Sequence, residues 1–209
     1  MSNSYLIIDE KTWPRAMHCM VFRNNIEPAF CVTFEADVTN FLQKVKQDKL
    51  SFTMAMVYTV CKSANEIEEF RYRFLDGNIV LFDQIHTAFT YMNKETNLFK
   101  VVNVPMMDDL KEYCKVALKK AEEQEVYFTG PLGNDVFQCS PMPWVSYTHI
   151  SHTNSGNKDN ATPLFDWGKY YEKDGKILMP ISVQVHHSFV DGLHIGLFVD
   201  KLQKYLDEL

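Results

Sequence analysis

The segment "ILMPISVQVHH", residues 177–187, constrains the fold more than any other stretch. Ile181, Val183 and Val185 alternate with polar partners, the period of a strand that turns one face to a core. Close behind it, "GLHIGLFVDKLQKYLDEL" sets Leu193, Leu197, Phe198, Leu202, Tyr205, Leu206 and Leu209 at helical spacing. A strand therefore passes into a helix across a very short turn. Gly192 breaks the alternation, and Asp191 is suited to cap the helix.

The rest of the chain mixes the same two periods. Phe30 to Asp37 reads as a strand running into a helix that Thr39 can cap, with Phe41, Leu42 and Val45 on one face. "FTMAMVYTVCKSANEI" is apolar around its whole axis and lacks Gly and Pro, so it reads as a buried helix. Asp76-Gly77 between extended runs predicts a hairpin. "DDLKEYCKVALKKAEEQE" predicts an amphipathic helix whose Lys/Glu run is a solvated face. The Ser140-Pro141-Met142-Pro143 interruption predicts a strand that begins after Pro143. Without strict βαβ alternation, a mixed α/β sandwich is favoured over a doubly wound sheet. No repeat or Pro/Gly-rich linker divides the sequence, so residues 1–209 are expected to form one domain.

Composition excludes several function classes. With 46% hydrophobic and 23% charged residues the chain has material for a core, which sets disorder aside. A net charge of -6 and a pI near 5.6 argue against a nucleic-acid surface, leaving room only for a local basic pocket. No charged n-region with a long apolar stretch opens the sequence, and no segment has the roughly 20 apolar residues that span a bilayer, so a cytoplasmic protein is expected. Cys19, Cys31, Cys61, Cys114 and Cys139 form no CxxC pair and are expected to be free thiols.

Residues 183–194, "VQVHHSFVDGLH", hold the candidate chemistry. A metal site needs converging ligands, and a strand end followed by a helix cap does not supply them, nor is there an HExxH. Two readings remain open from spacing alone. His187 is either an ordinary core-edge histidine beside a plain N-cap, or a general base, an imidazole whose ordinary pKa of about 6.5 lets it take a proton from a hydroxyl or thiol.

The "HHSFVDG" stretch, read together with "TWPR", "PWVSYTHIS", "WGKYY" and "ILMPISVQVHH" in that order, resembles the chloramphenicol acetyltransferases over nearly the whole chain. Peptide-synthetase condensation domains and the acyltransferase cores of 2-oxo-acid dehydrogenase complexes carry versions of HHxxxDG. The former are roughly double this length, and the latter follow lipoyl domains. The resemblance implies a two-layer α/β sandwich of the CoA-dependent acyltransferase type, direct acetyl transfer from acetyl-CoA to a small-molecule hydroxyl, no metal, and a homotrimer with active sites between subunits. It connects the chain with antibiotic resistance.

Residue by residue, the resemblance makes His187 the base, Ser140 the oxyanion donor, and Asp191 a structural carboxylate paired with Arg15. Lys169, Tyr170 and Trp144 are implied on the coenzyme A side. Phe22, Phe30, Phe99, His152, Leu164 and Asp166 are implied around the acceptor. Cys139 is expected to be a buried thiol. Three positions depart from the family pattern: Phe22 replaces a tyrosine, His152 a leucine and Asp166 a threonine. The catalytic set is thus retained while the acceptor contacts drift, which implies acetyl transfer more firmly than chloramphenicol as the acceptor. The alternatives are another small alcohol or xenobiotic, or a catalytically idle trimeric binding protein.

Overall fold

A computed structural model describes residues 4–129, 133–152 and 156–208. In chain order the elements are β1 (Tyr5–Ile7), α1 (Ala16–Arg23), β2 (Ala29–Asp37), α2 (Thr39–Gln47), α3 (Phe52–Asn65), β3 (Tyr72–Leu75), β4 (Asn78–Phe82) and β5 (His86–Met92). There follow β6 (Phe99–Val104), α4 (Leu110–Glu123), β7 (Val136–Cys139), β8 (Leu164–Trp167), β9 (Tyr171–Lys173), β10 (Lys176–His186) and α5 (Gly192–Glu208).

The main sheet has the order β2-β10-β8-β7-β5-β6, with β9 beside β10. β10 is antiparallel to β2, β8 and β9, whereas β7 runs parallel to both β5 and β8. Partners in register project from the same face. Phe165, Val183 and Val32 share one face, and Phe165 meets Phe198 of α5 with ring centroids 5.2 Å apart. The opposite face carries Thr33, Ser182 and Asp166 in one row and Gln184, Leu164, Gln138 and Ala88 in the next. A smaller sheet, β1-β4-β3, packs beside the end of β10, where Phe74 meets Phe189 at 4.7 Å. The mixed α/β architecture expected from the sequence is present.

Several local expectations hold. Asp76 and Gly77 both adopt positive φ between Leu75 and Asn78, the two-residue turn that matches strand twist. Phe41, Leu42 and Val45 are buried, and α3 is buried along most of its length. Four of the five cysteines are buried, and all are free thiols.

Others need correction. Thr39 does not cap α2; it is the first residue of the helix, and Asp37 Oδ1 accepts from its backbone N–H at 3.0 Å. The Thr39 hydroxyl is then free to accept from Ile177 N at 2.8 Å, tying α2 to β10. No strand begins directly after Pro143. The strand precedes the prolines, as β7, and residues 143–152 cross the helix-free side without pairing as a strand. Pro141 and Pro143 lack N–H groups, so beyond Cys139 the pairing thins to a single bridge between Met142 and Gly168. Leu193 and Leu197 are not core residues: they are 70% and 44% exposed, while Ile195, Phe198, Leu202 and Leu206 face inward. Leu209 lies outside the described residues.

The crossing segment approaches the sheet closely at Gly168. A Cβ there would stand 2.6 Å from Val145 O and 2.9 Å from Pro180 Cγ, closer than real contacts allow. Gly168→Ala should therefore lower stability by about 1–3 kcal/mol. Gly196→Ala, in α5 with nothing within 4 Å of its added Cβ, should raise it by up to ~1 kcal/mol. Paired urea melts check both signs, and a neutral Gly168→Ala would contradict the close approach.

Candidate active site

β10 delivers two adjacent histidines to different surroundings. His186, its last residue, is buried; its Nδ1 accepts from Ser188 N at 3.1 Å and its Nε2 lies 2.9 Å from Lys158 O. Burial holds its pKa below the ordinary value. The backbone of Phe189 and Val190 donates to His186 O, closing the turn before α5. His186 therefore builds the corner. His187 N donates to Pro28 O at 2.8 Å, and its ring stacks on Phe22 at 3.8 Å and 6°, with Phe30 at 4.6 Å. Its Nδ1 is buried with no hydrogen-bond partner among the described residues. A buried Nδ1 is out of reach of a ligand in this chain.

Phe22 is placed by α1, whose opening is anchored by Arg15. Arg15 Nη1 donates to Asp191 Oδ2 at 3.0 Å. Asp191 Oδ1 accepts from Leu193 N at 3.0 Å, so this carboxylate caps α5 and fixes α1 together. The Asp191 N–H donates to His194 Nδ1 at 3.0 Å, and His194 Nε2 lies 3.4 Å from Glu69 Oε1. Burial pulls the Asp191 carboxyl upward, but Arg15, His194 and the Leu193 N–H outweigh it and hold the group below its ordinary range. In the sequence His194 enters only as a third metal ligand beside His187 and Asp191 on one continuous helix; the strand–turn–helix break separates His187 from the other two, and His194 instead braces the Asp191 turn.

Ser140 follows β7 directly and its N–H donates to Phe165 O at 2.9 Å. Two cavities meet at it. One, of about 730 Å³, is lined by Thr53, Tyr91, Lys94, Asn97, Phe99 and Trp144 among others. The second, of about 240 Å³, is lined by Thr90, Phe99, Val101, Gln138, His152 and Leu164 with Ser140. Lys94, in the turn between β5 and β6, escaped sequence reading because an isolated turn lysine carries no motif. Lys169 N donates to Val145 O at 2.8 Å, and the Tyr170 ring lies 5.8 Å from Phe52. Cys139 is a buried free thiol whose Sγ lies 3.7 Å from Cys61 Sγ, and burial pushes its pKa above the ordinary thiol value.

His152 Nε2 lies 2.8 Å from Asp166 Oδ2. Burial pushes the Asp166 carboxyl above its ordinary range, against the opposing pull of His152. Among the described residues no group of three or more His, Cys, Asp or Glu side chains is arranged to hold a metal.

The sheet register separates these residues into two groups. Ser140 follows Cys139, which pairs with Phe165, so it lies level with Asp166, whose partner on β10 is Ser182. At about 3.3 Å per residue, His187 lies roughly 16 Å farther along β10 and about two strand spacings, ~10 Å, to the side. The two backbones are thus on the order of 20 Å apart within one chain. His187, Phe22, Phe30, Arg15 and Asp191 form one cluster; Ser140, Trp144, Phe99, Leu164, His152 and Asp166 form the other.

A solved chloramphenicol acetyltransferase superposes with a TM-score of 0.90 at 29% identity, covering 97% of this chain and all of that one. The Azotobacter vinelandii dihydrolipoamide acetyltransferase shares the fold at a TM-score of 0.65 and 16% identity, covering 92% of this chain and 86% of that one. The fold is therefore that of the CoA-dependent acyltransferases. Residues 3–203 match the family model described as chloramphenicol acetyltransferase. An Escherichia coli chloramphenicol acetyltransferase is 32% identical over 208 residues, 98% of this chain and 94% of its own length. The chain belongs to the chloramphenicol acetyltransferase family and is an acyltransferase.

Arg15→Ala and Asp191→Ala should each lower stability, with a coupling of about 1 kcal/mol or more in a double-mutant cycle. Because the folded-state pKa of Asp191 is lowered, its contribution is present above the unfolded value of about 3.9 and disappears as pH falls through the folded value. The stability gap between the protein and Asp191→Asn should close in that acid window, and a gap independent of pH would contradict the pairing.

Proposed function

We propose that this protein transfers the acetyl group of acetyl-CoA to a hydroxyl of chloramphenicol or a related small alcohol, as a homotrimer with each active site between two subunits. The carrying observation is the separation of His187 from Ser140. A base must stand within about 3 Å of the attacking hydroxyl, and an oxyanion donor at a similar distance from the carbonyl oxygen. Backbones some 20 Å apart in one chain cannot serve one tetrahedral centre. His187 of one subunit facing Ser140 of the next resolves this. Exposed Met17, Met20 and Val21 on α1 and Leu193 and Leu197 on α5 suit a surface that another copy covers.

In the reaction, His187 Nε2 takes the acceptor's hydroxyl proton as the oxygen attacks the thioester carbonyl. The Ser140 hydroxyl donates to the resulting oxyanion. Collapse breaks the C–S bond, and the imidazolium returns the proton to the leaving thiolate, giving free CoA and the acetyl ester. Phe22 stacked on His187 restricts the ring, and the Arg15–Asp191 pair fixes the loop that carries it. The larger cavity suits the pantetheine arm: it is mostly apolar, reaches Ser140, is walled by Trp144 and has Lys94 at its edge as a cation for a phosphate. Lys169 and Tyr170, beyond Trp144, extend the same side.

Release of CoA thiol from acetyl-CoA, measured with chloramphenicol and a panel of small alcohols, tests the reading. His187→Ala should lose about 100- to 10,000-fold in turnover with the fold intact. Ser140→Ala should lower kcat about 100-fold with little change in acetyl-CoA affinity. No release with any acceptor, or unaltered turnover in His187→Ala, would sink the proposal.

A further inference from the structure

The cavity of about 240 Å³ at Ser140 has one wall unlike the others. Ala88, Phe89, Val101, Leu164 and Phe99 make it largely apolar, but His152 enters from the crossing segment. Its position is fixed three ways. Its backbone N–H donates to Gln184 Oε1 at 3.3 Å, its Nε2 meets Asp166 Oδ2 at 2.8 Å, and two residues earlier Ile150 O accepts from Cys31 Sγ at 3.2 Å. Asp166 is only 1% exposed and does not itself line the cavity. Its Oδ1 has no hydrogen-bond partner among the described residues, so its one such contact is His152. A buried carboxylate is costly and holds an adjacent imidazole in one tautomer and orientation. The pair therefore presents a fixed polar ring to the cavity, separate from the His187 cluster.

We propose, resting on the acetyl-transfer reading, that His152 held by Asp166 is a specificity-determining wall, and that it favours acceptors whose unreacted end is rich in hydroxyl oxygens, as in sugars and polyols, over acceptors that lay an apolar or aryl group there. A ring nitrogen left facing an apolar group loses its water without a replacement partner. A site with a placed polar group discriminates more steeply than an apolar pocket does. Asp166 acts through His152 and is a positioning residue.

The test uses the intact protein with methyl glucoside and chloramphenicol as probes, and reads both CoA release and acceptor binding by calorimetry. In His152→Leu, KM and Kd for chloramphenicol should fall about 10-fold with kcat nearly unchanged, and Kd for methyl glucoside should rise about 10-fold. Asp166→Asn should move both acceptors in the same directions by less, and His152→Gln should restore glucoside binding. Equal binding of either probe to the wild type and His152→Leu, or no detectable glucoside binding to the wild type, overturns the inference. Binding that still shifts with His152 while no acceptor releases CoA supports the selective wall and removes the acetyl-transfer reading instead.

Discussion

The pairing of β10 is the constraint on which the rest depends. This strand holds β2 on one side and β8 and β9 on the other, and its register fixes every other position in the sheet. A slip of one residue would turn Ile181, Val183 and Val185 out of the core and drive Ser182, Gln184 and His186 into it. With that register fixed, His186 must end the strand in the corner and His187 must emerge toward Phe22. The neighbouring β8 must likewise place Asp166 opposite Ser182, on the face without helices.

Two bonding systems then make the strand end usable. The first runs from α1 to α5 through Arg15 and Asp191, with His194 and Glu69 behind, and keeps Phe22 stacked on His187. The second runs across the helix-free face, where His152 joins Asp166 and Thr33 Oγ1 lies 2.7 Å from Ser182 Oγ. The first is expected to serve the chemistry and the second the choice of acceptor. The two systems share no side-chain hydrogen bond among the described residues, so under the proposed function a change on the acceptor side leaves His187 and its support in place.

Much of this was legible in the sequence where local physics decided it. Alternation gave β10, Asp-Gly gave the β3–β4 turn, and Asp191 capped α5 as its residue type suggests. The Arg15 partnership came from resemblance, since no spacing rule links positions so far apart. Misses arose where tertiary contacts overrode local pattern. Thr39 falls inside α2 with its N–H held by Asp37 and its hydroxyl engaged by Ile177, and the segment after Pro143 crosses the sheet instead of joining it. Leu193 and Leu197 fit the helical spacing yet face outward, as expected if another copy covers them. Nor could sequence show that His152 and Asp166 meet, because that contact joins a loop to a central strand.

The split between His187 and Ser140 is the central claim, and subunit mixing tests it most directly. His187→Ala and Ser140→Ala proteins, each nearly inactive alone, should regain CoA release when unfolded together and reassembled, because a mixed oligomer contains sites with a native His187 facing a native Ser140. Failure to regain activity, with mixed oligomers demonstrated by differential tagging, would contradict a site shared between subunits.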